Sequence, residues 1–410
     1  MGMNSLEGIR VIDLSHVIAG PTASHYLAQE GAEVIKVEHP AKGDILRGGA
    51  RDLLDTGISI GFAAINGGKQ SLAIDLKQPR CRDLLLALVR SADVFIENFR
   101  PGATARLGFD YAAVKAVKPD IIYASISGFG QEGSWGPRAA YDHVVQAATG
   151  MTMMQGLEGE DPLKVGFPVI DTATGMVAAQ ALLAALIRRL RTGNGAYLDI
   201  SMAQAALQLM WPDAARAGVT GHDAPRIGNR GFSGSPGGAT FRCADGWVST
   251  AANTARQFRI FCEVLGVAYV LDDTTLLDVA GLNAGSAFVA ATDAPRLQTI
   301  LAEAAGKLAA ADLEARLTAE DVPCAQLITL AAFVQRALAG GMVTLPARKT
   351  AYGKGTLTDF GGGFRADHQD GAALAPAPRL GQHTAALLTS IGVAQTEIGA
   401  LAAQGHIKLP

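Results

Sequence analysis

Short apolar runs alternate with helix-forming segments through the first third of the chain, and this alternation limits the fold more than any other feature. Five buried strands are predicted, at residues 9–14, 32–38, 71–76, 93–99 and 121–127. Helices are predicted between them, at residues 22–30, 79–89 and 111–117. Because strands that alternate with helices form a parallel sheet with helices on both faces, the sequence predicts a doubly wound α/β fold. Ligands in such folds bind beyond the carboxyl ends of the strands.

The later part of the chain predicts a second, smaller domain. A glycine-dense loop leads into a hairpin near residues 240–250 and then into mostly helical sequence, which predicts an α+β domain over residues 225–330. Residues 1–224 then form the first part of a large α/β domain. Strand and loop sequence returns near residue 332, so residues 331–410 are expected to rejoin that domain and to end in a helix. A length of 410 residues with 49% hydrophobic content suffices for two or three domains.

Charge and cysteine usage disfavour several classes of function. A formal net charge of −3 argues against nucleic-acid and membrane-surface partners. No apolar stretch is expected to reach the ~18–20 residues that cross a bilayer, and no signal peptide is apparent. The cysteines are scattered without CxxC pairs or histidine partners at ligand spacing, at Cys81, Cys243, Cys262 and Cys324. These features predict a cytoplasmic protein with reduced thiols and no metal site.

One aspartate is a candidate nucleophile. Asp171 precedes a long run of helix formers at residues 176–191, and Gly193 is placed to end that helix. Asp171 is therefore predicted at or near the N-cap, where backbone N–H groups would bind its carboxylate and keep it ionised at neutral pH. An ionised, partly desolvated carboxylate can act as a nucleophile, so the capping role and the catalytic role are compatible.

The turn after the first predicted strand argues against a dinucleotide site. Its sequence, HVIAGP at residues 16–21, lacks the GxGxxG pattern of dinucleotide-binding folds. The helix that follows Gly20 and Pro21 can still receive a phosphate at its N-terminus.

Six segments carry a resemblance to a known family. They are LEGIRVIDL (6–14), AEVIKVE (32–38), KQSLAIDL (69–76), DVFIENFRPG (93–102), RTGNG (191–195) and PRLGQHT (378–384). Together they resemble the class III CoA-transferase (CaiB–BaiF) family and, within it, the formyl-CoA transferases. The match covers nearly the whole chain, and DTATGM (171–176) falls where that family has its catalytic aspartate at the start of a helix.

The resemblance implies an activity and a set of substrates. It implies a CoA-transferase that moves CoA from an acyl-CoA thioester to a small carboxylic acid, with Asp171 as the nucleophile. The family's reaction passes through an aspartyl anhydride and an aspartyl-CoA thioester, and excluding water protects the anhydride from hydrolysis. The resemblance implies no metal or redox cofactor, with CoA and acyl-CoA as substrates. It also implies an interlocked homodimer, which nothing in the composition indicates.

The family's CoA contacts carry over to this chain position by position. The turn after the first strand supplies Ile18 and Ala19, where relatives often have Gln or Ser. His39 replaces an arginine, so a phosphate contact there should be weaker and should depend on pH. The remaining matched positions are Ile74 and Lys77 beside adenine and ribose, Asn98, Phe99 and Arg100 along the pantetheine, Arg106 at a phosphate, and Tyr141 and Asp142 in the pocket that faces the aspartate.

Departures from the family pattern leave the acyl group open. The formyl-CoA transferases have four consecutive glycines in a loop that closes over the active site. This chain has Gly231-Phe-Ser-Gly234 there, and the bulkier loop suggests a different acyl group. A lysine usual just before the matched tyrosine is Ala139 here, although Arg138 adjoins it.

Two other functions are weighed against CoA transfer. The α-methylacyl-CoA racemases of the same family move an α-proton with a histidine and an aspartate, and the position of that histidine is Tyr141 here. His143 lies two residues later and would point elsewhere on a helix, so transfer is favoured over racemisation. A non-catalytic CoA-binding protein is the second alternative, and the intact Asp171 argues against it.

Overall fold

The computed structural model describes residues 4–48, 52–340, 348–364 and 374–410, and the chain divides into two compact units. The large unit comprises Met1–Thr152, Lys164–Asp223 and Thr344–Pro410. The small unit comprises Met153–Leu163 and Ala224–Val343. The domain limits drawn from the sequence stay a prediction.

The large unit is built on a six-stranded parallel sheet, which confirms the predicted α/β fold. Its strands are β1 (Arg10–Asp13), β2 (Glu33–Glu38), β3 (Gln70–Ala73), β4 (Val94–Glu97), β5 (Ile122–Ser127) and β6 (Ala196–Ser201). They lie in the order β3-β2-β1-β4-β5-β6, and every neighbouring pair is parallel. The first five correspond to the five predicted apolar runs. The edge strand β6 is not among the predicted strands, because the exposed Tyr197 and Asp199 interrupt its apolar pattern.

Helices cover both faces of this sheet, as the alternation predicts. The helices of the large unit are α1 (Ala19–Gln29), α2 (Ile60–Asn66), α3 (Pro79–Val89), α4 (Ala103–Leu107), α5 (Tyr111–Val117), α6 (Asp142–Ala148), α7 (Val169–Thr192), α8 (Met202–Leu209), α9 (Trp211–Thr220), α15 (Thr384–Ser390) and α16 (Gln395–Ala403). One face packs against α1 and α7, and the other packs against α3, α5, α15 and α16. A hairpin of β10 (Arg348–Tyr352) and β11 (Gly355–Asp359) also belongs to this unit.

The small unit combines a short antiparallel sheet with helices. Its strands are β7 (Thr240–Arg242), β8 (Trp247–Thr250) and β9 (Cys324–Gln326), and its helices are α10 (Ala255–Leu265), α11 (Val279–Ala284), α12 (Ala294–Ala305), α13 (Ala310–Ala319) and α14 (Leu330–Ala339). The antiparallel pair of β7 and β8 confirms the predicted hairpin. The prediction of strand and loop from residue 332 is wrong as far as Ala339, because α14 extends to that residue.

The helix α7 is long, apolar and ended as predicted. Gly193 follows it in the left-handed conformation at φ 70°. Among the described residues it is the single helix long and apolar enough to cross a membrane, with a mean hydropathy of 1.6 over its apolar window. The expectation that no stretch reaches that length is therefore wrong. Half of that window is buried, as in the core helix of a globular protein, so length alone is a weak indication of a membrane span. The cellular location stays a prediction.

The helix α7 approaches α1 closely because Gly175 has no side chain. A Cβ atom at Gly175 would lie 2.6 Å from Thr22 Cβ and 2.9 Å from the Ala19 carbonyl oxygen. Ala19 and Thr22 belong to the start of α1. The helix begins at Ala19, three residues before its predicted start at Thr22. Gly175 therefore lets the N-terminal turns of two helices lie side by side.

Gly175→Ala is expected to lower the free energy of unfolding by about 1–3 kcal/mol, because the added methyl group would overpack this contact. Chemical denaturation measures the difference. Gly218→Ala in α9 is the matched control, since no atom lies within 4 Å of the added methyl group there. It should be neutral or slightly stabilising. Equal free energies of unfolding for Gly175→Ala and Gly218→Ala would show that α1 and α7 can move apart without loss of stability.

Candidate active site

Asp171 lies inside the first turn of α7 rather than at its cap. The helix begins at Val169, and Pro168 precedes it without a side-chain capping hydrogen bond. Asp171 is thus near the N-cap, as predicted, but it is not the capping residue, because Val169 and Ile170 already belong to the helix.

Asp142 performs the capping role at this helix. Its Oδ2 atom accepts hydrogen bonds from the backbone N–H groups of Ile170 at 2.7 Å and Asp171 at 2.9 Å. Its Oδ1 atom accepts a hydrogen bond from Gln146 Nε2 at 2.6 Å, and Asp142 is buried. The N–H groups at the start of α7 thus bind Asp142 and do not bind the Asp171 carboxylate.

Burial, and after it the nearby Asp142 carboxylate, raises the pKa of Asp171 from an ordinary value of 3.8 to about 7. The expectation that backbone N–H groups keep Asp171 ionised is therefore wrong. Near neutral pH the Asp171 side chain exchanges between carboxylic acid and carboxylate. The carboxylate form is more basic than that of a solvated aspartate, because burial and the Asp142 charge disfavour the ionised state. A more basic carboxylate is a stronger nucleophile.

Asp171 lines a cavity of about 220 Å³ beyond the carboxyl ends of β1, β4 and β5. We name it the Asp171 cavity. Its lining includes residues that the family resemblance assigns to CoA, namely Ile18, Ala19, Asn98, Phe99, Arg100 and Tyr141. The structure therefore brings these predicted site residues together around the candidate nucleophile.

Asn98 holds the turn between β1 and α1. Its Oδ1 atom accepts a hydrogen bond from the His16 N–H group at 2.8 Å, and its Nδ2 atom donates one to the His16 carbonyl oxygen at 2.8 Å. Ile18 and Ala19 follow directly, and this fixed turn positions them on the wall of the Asp171 cavity. Asn98 was predicted to contact pantetheine, and in this structure its amide binds the backbone of the turn.

A buried ion pair supports the same turn from the other side. Val17 has a left-handed backbone conformation at φ 66°, which a β-branched residue rarely adopts. Its N–H group lies 3.2 and 3.3 Å from the two carboxylate oxygens of Asp44. Lys36 Nζ lies 2.9 Å from Asp44 Oδ2, with both side chains fully buried, and donates a hydrogen bond to the Ser15 carbonyl oxygen at 2.8 Å. The Lys36–Asp44 pair thus stabilises a strained turn.

A second cavity of about 220 Å³ has a lining that includes His39, Ile74 and Lys77, which the resemblance assigns to the phosphate and adenosine of CoA. We name it the His39 cavity. His16 and Phe99 line both cavities. Their rings meet edge to face, with centroids 5.4 Å apart and planes at 73°. These two rings form a wall shared by the two cavities.

Other predicted site residues lie outside both cavities. Arg106 is exposed on α4, next to Leu107, which lines the His39 cavity. Asp142 is buried beneath the start of α7. Gly231 and Gly234 belong to the small unit, where the Gly231 N–H group donates to the Gly238 carbonyl oxygen at 2.6 Å and Gly234 lines a separate cavity of about 620 Å³. The roles assigned to these four residues stay predictions.

A metal site is not formed by the part of the chain that the structure describes, since no group of three or more His, Cys, Asp or Glu residues there could hold an ion. The four cysteines are free thiols. Whether the protein needs any cofactor stays a prediction.

The sequence matches one family model, described as CoA-transferase family III, over residues 6–384. The chain belongs to CoA-transferase family III. This membership confirms the family resemblance found in the six sequence segments. The matched region contains Asp171 and every other residue assigned to the candidate site.

Two curated relatives of this family III protein have names that state a reaction. The chain is 36% identical over 271 residues to the succinyl-CoA:glutarate CoA-transferase of Mus musculus. It is 40% identical over 259 residues to the formyl-CoA:oxalate CoA-transferase of Streptomyces coelicolor. The matches cover 66% and 60% of this chain. They span 62% of the length of each relative, which is less than two thirds.

A solved structure shares the fold of this family III protein. The crystal structure of a CAIB/BAIF family protein from Brucella suis matches it with a TM-score of 0.80 and 29% sequence identity. The match covers 95% of this chain and 100% of that chain. It agrees with the α/β class assigned from the sequence.

Sequence reasoning did not assign His16 and Arg138, although both line the Asp171 cavity. Burial, and after it the charge of Lys36, lowers the pKa of His16, so its imidazole is neutral at neutral pH. The signal that could have identified His16 is its place just beyond the carboxyl end of β1, where α/β folds bind ligands. The signal for Arg138 is that it adjoins Ala139, the position where the family usually has a lysine.

Asp142→Asn is expected to move the inflection of the pH–rate profile below its value near pH 7, because it removes the charge that helps to raise the pKa of Asp171. The pH dependence of acyl transfer from acyl-CoA to Asp171, tested as a candidate reaction, measures this shift. Asp83→Asn is the control, since Asp83 is an exposed carboxylate on α3, across the sheet from α7. If the inflection of the pH–rate profile stays at the same pH in Asp142→Asn, then burial alone sets the pKa of Asp171.

Proposed function

We propose that this protein transfers CoA from an acyl-CoA thioester to a small carboxylic acid, with Asp171 as the nucleophile. The observation that carries the proposal is the position of Asp171, whose side chain lines one cavity together with six residues that match the family's CoA contacts. Its raised pKa supports the role, because it makes the carboxylate more basic. The relatives' names state transfers of this kind, from succinyl-CoA to glutarate and from formyl-CoA to oxalate.

The proposed reaction consists of four exchanges at carbonyl carbons. An Asp171 oxygen attacks the thioester carbonyl carbon, and the C–S bond breaks to give an acyl-aspartyl anhydride and CoA thiolate. The thiolate attacks the aspartyl carbonyl carbon and releases the donor acid, leaving an aspartyl-CoA thioester. The acceptor carboxylate attacks this thioester and expels the thiolate, forming a second anhydride. The thiolate then attacks the acceptor's carbonyl carbon, which gives the new acyl-CoA and free Asp171. No net proton, electron or metal ion enters the cycle.

Each exchange passes through a tetrahedral intermediate that needs hydrogen-bond donors for its oxyanion. The N–H groups of Ile170 and Asp171 already bind Asp142 and are not available. Ile18 and Ala19 line the Asp171 cavity at the start of α1, where helix N–H groups lack partners within the helix. We therefore assign the oxyanion donors to the backbone at the start of α1.

The proposal is tested by mass spectrometry of the full chain after incubation with succinyl-CoA, acetyl-CoA or formyl-CoA and trapping with hydroxylamine. CoA transfer predicts an aspartyl hydroxamate at Asp171, released CoA, and loss of the modification in Asp171→Ala. Binding of CoA without any modification at Asp171 would instead support a non-catalytic CoA-binding protein.

Racemisation of a 2-methylacyl-CoA is a second candidate function, because the imidazole of His16 lies on the same cavity as Asp171. A racemase needs an acid–base group on each side of the α-carbon. Tyr141 occupies the position of the family's racemase histidine, and His143 is exposed. Incorporation of deuterium at the α-carbon from D₂O, without transfer of CoA, would favour this function over the first.

We also propose that the protein forms the homodimer that the resemblance implies. Met176, Leu183 and Ile187 of α7 are 54%, 37% and 52% exposed. They line an apolar groove of about 610 Å³ together with Tyr26 and Phe364. Exposed apolar patches of this kind mark interaction sites. Light scattering should give twice the chain mass of 42.4 kDa, and a monomer mass would contradict the proposal.

A further inference from the structure

Arg138 is held at the Asp171 cavity by aromatic side chains. Its guanidinium carbon lies 3.9 Å from the centroid of the Trp135 ring, within the range of a cation–π interaction. Trp135 in turn meets Phe129 edge to face, with centroids 5.2 Å apart. The backbone N–H group of Arg138 donates a hydrogen bond to the Trp135 carbonyl oxygen at 2.9 Å, which fixes the turn that carries both side chains. Arg138 and Trp135 are both exposed, so the orientation of the guanidinium depends on its stacking against the indole ring.

The charge of Arg138 has no carboxylate partner within residues 4–48, 52–340, 348–364 and 374–410, where no ion pair involves it. On the lining of the Asp171 cavity the other cation is Arg100, and the acidic residue is Asp171 itself. Much of the remaining lining is apolar and includes Ile18, Ala19, Ile126 and Met202. An oriented cation thus lies on a cavity of mixed polar and apolar lining that also contains the candidate nucleophile.

The geometry favours an anion on the acyl group over a phosphate of CoA. The pantetheine arm separates the phosphates of CoA from its thioester, whereas Arg138 and Asp171 line one cavity of only about 220 Å³. An anion that reaches Arg138 while the thioester carbonyl carbon meets Asp171 therefore belongs to the acyl chain, because the pantetheine arm carries no charge. The guanidinium presents parallel N–H donors that match the two oxygens of a carboxylate.

We infer that Arg138 binds the second carboxylate of a dicarboxylic acid whose first carboxyl group reacts at Asp171. This inference rests on the proposed CoA transfer. The donor acid and the acceptor acid form the same kind of anhydride on Asp171 in turn, so one guanidinium serves both. Arg138 is accordingly a specificity-determining residue, and the substrate class is short dicarboxylic acids and their CoA monothioesters.

The test compares glutaryl-CoA with pentanoyl-CoA, which differ only in the terminal carboxylate. The rate of CoA release in the presence of hydroxylamine is measured for the full chain, for Arg138→Gln and for Arg100→Gln. Because the CoA moiety is common to both substrates, the ratio of their kcat/KM values isolates the contribution of the carboxylate. We expect the unmodified protein to prefer glutaryl-CoA and Arg138→Gln to reduce that preference about 10- to 100-fold. Arg100→Gln, in contrast, should lower both values and leave their ratio unchanged.

Three results would overturn the inference. They are no preference for glutaryl-CoA in the unmodified protein, a preference that Arg138→Gln leaves intact, and a loss in Arg138→Gln that both thioesters share equally. The third result would place Arg138 on CoA. Partial recovery of the preference for glutaryl-CoA in Arg138→Lys would support the inference. It would show that the positive charge at residue 138, and not a change in the fold, determines the preference. Failure of the proposed CoA transfer itself is distinguishable, because Asp171 would then carry no hydroxamate with any acyl-CoA.

Discussion

Asp171→Asn is expected to abolish CoA transfer almost completely, with kcat reduced by about 10³-fold or more. The amide has no carboxylate oxygen that can attack a thioester, so neither the anhydride nor the aspartyl-CoA thioester can form. The substitution keeps the size of the side chain, and the backbone N–H group of residue 171 can still donate to Asp142. Steady-state CoA transfer is measured with the acyl-CoA that reacts fastest at Asp171 in the protein without the substitution.

Binding and stability provide the controls for this variant. The Kd for CoA should be unchanged, because the amide removes no proposed CoA contact. The folded-state pKa of Asp171 is about 7, above its ordinary value of 3.8, so the folded state holds this proton more tightly than the unfolded state. Stability from this group is therefore present below about pH 4 and is lost as the pH rises towards 7. Asparagine does not titrate, so the variant should gain more in Tm at pH 8 than at pH 5. Transfer activity that survives in the folded variant would remove Asp171 from the mechanism.

Asp44→Ala is expected to lower the free energy of unfolding by about 3–5 kcal/mol, because it removes the carboxylate in direct contact with the fully buried Lys36. The substitution also removes the acceptor of the Val17 N–H group, so the strained turn before α1 should relax. Ile18 and Ala19 would then move from the Asp171 cavity, and KM for acyl-CoA should rise. Chemical denaturation and steady-state kinetics measure the two effects.

Two comparisons separate this effect from a general loss of an ion pair. Glu397→Ala breaks the Arg80–Glu397 pair, which has a contact of 2.6 Å but side chains 52% and 36% exposed. It should lower the free energy of unfolding far less than Asp44→Ala does, because water screens the pair. Replacing both buried partners, as Lys36→Met with Asp44→Leu, should cost less than Asp44→Ala alone, since no buried charge is then left unpaired. Equal effects of Asp44→Ala and Glu397→Ala would contradict the structural role of the buried pair.

The central sheet can be predicted from the sequence because its strands bury consecutive apolar residues. Every residue of β4 and β5 is buried, for example, so periodicity and β-branched content suffice. The edge strand β6 alternates exposed and half-buried residues and offers no such run. The helix α14 exposes Leu330 and Phe333, so its apolar residues do not mark a buried face. Local pattern therefore identifies elements that bury consecutive apolar residues, including the edge strand β3, better than elements that do not.

The candidate site divides in a similar way. Family motifs identify Asp171 and the residues around it, because those residues lie within recognisable segments. The protonation state of Asp171 depends on Asp142, which is 29 residues away in the chain and reaches α7 only in the folded protein. The contact between His16 and Asn98 spans 82 residues. Neither relation leaves a trace in periodicity or spacing, so only the structure reveals how the nucleophile is tuned and how the turn beside it is held.

The wall formed by His16 and Phe99 has a consequence for how such proteins diversify. Residues on one side of it, such as Ile126, Arg138 and Met202, do not line the His39 cavity, and His39, Ile74 and Lys77 do not line the Asp171 cavity. Mutations on the two sides should therefore be nearly independent in their effects. Under the proposed function, a few substitutions on the Asp171 side would change which acids react, while CoA binding on the other side would be inherited unchanged.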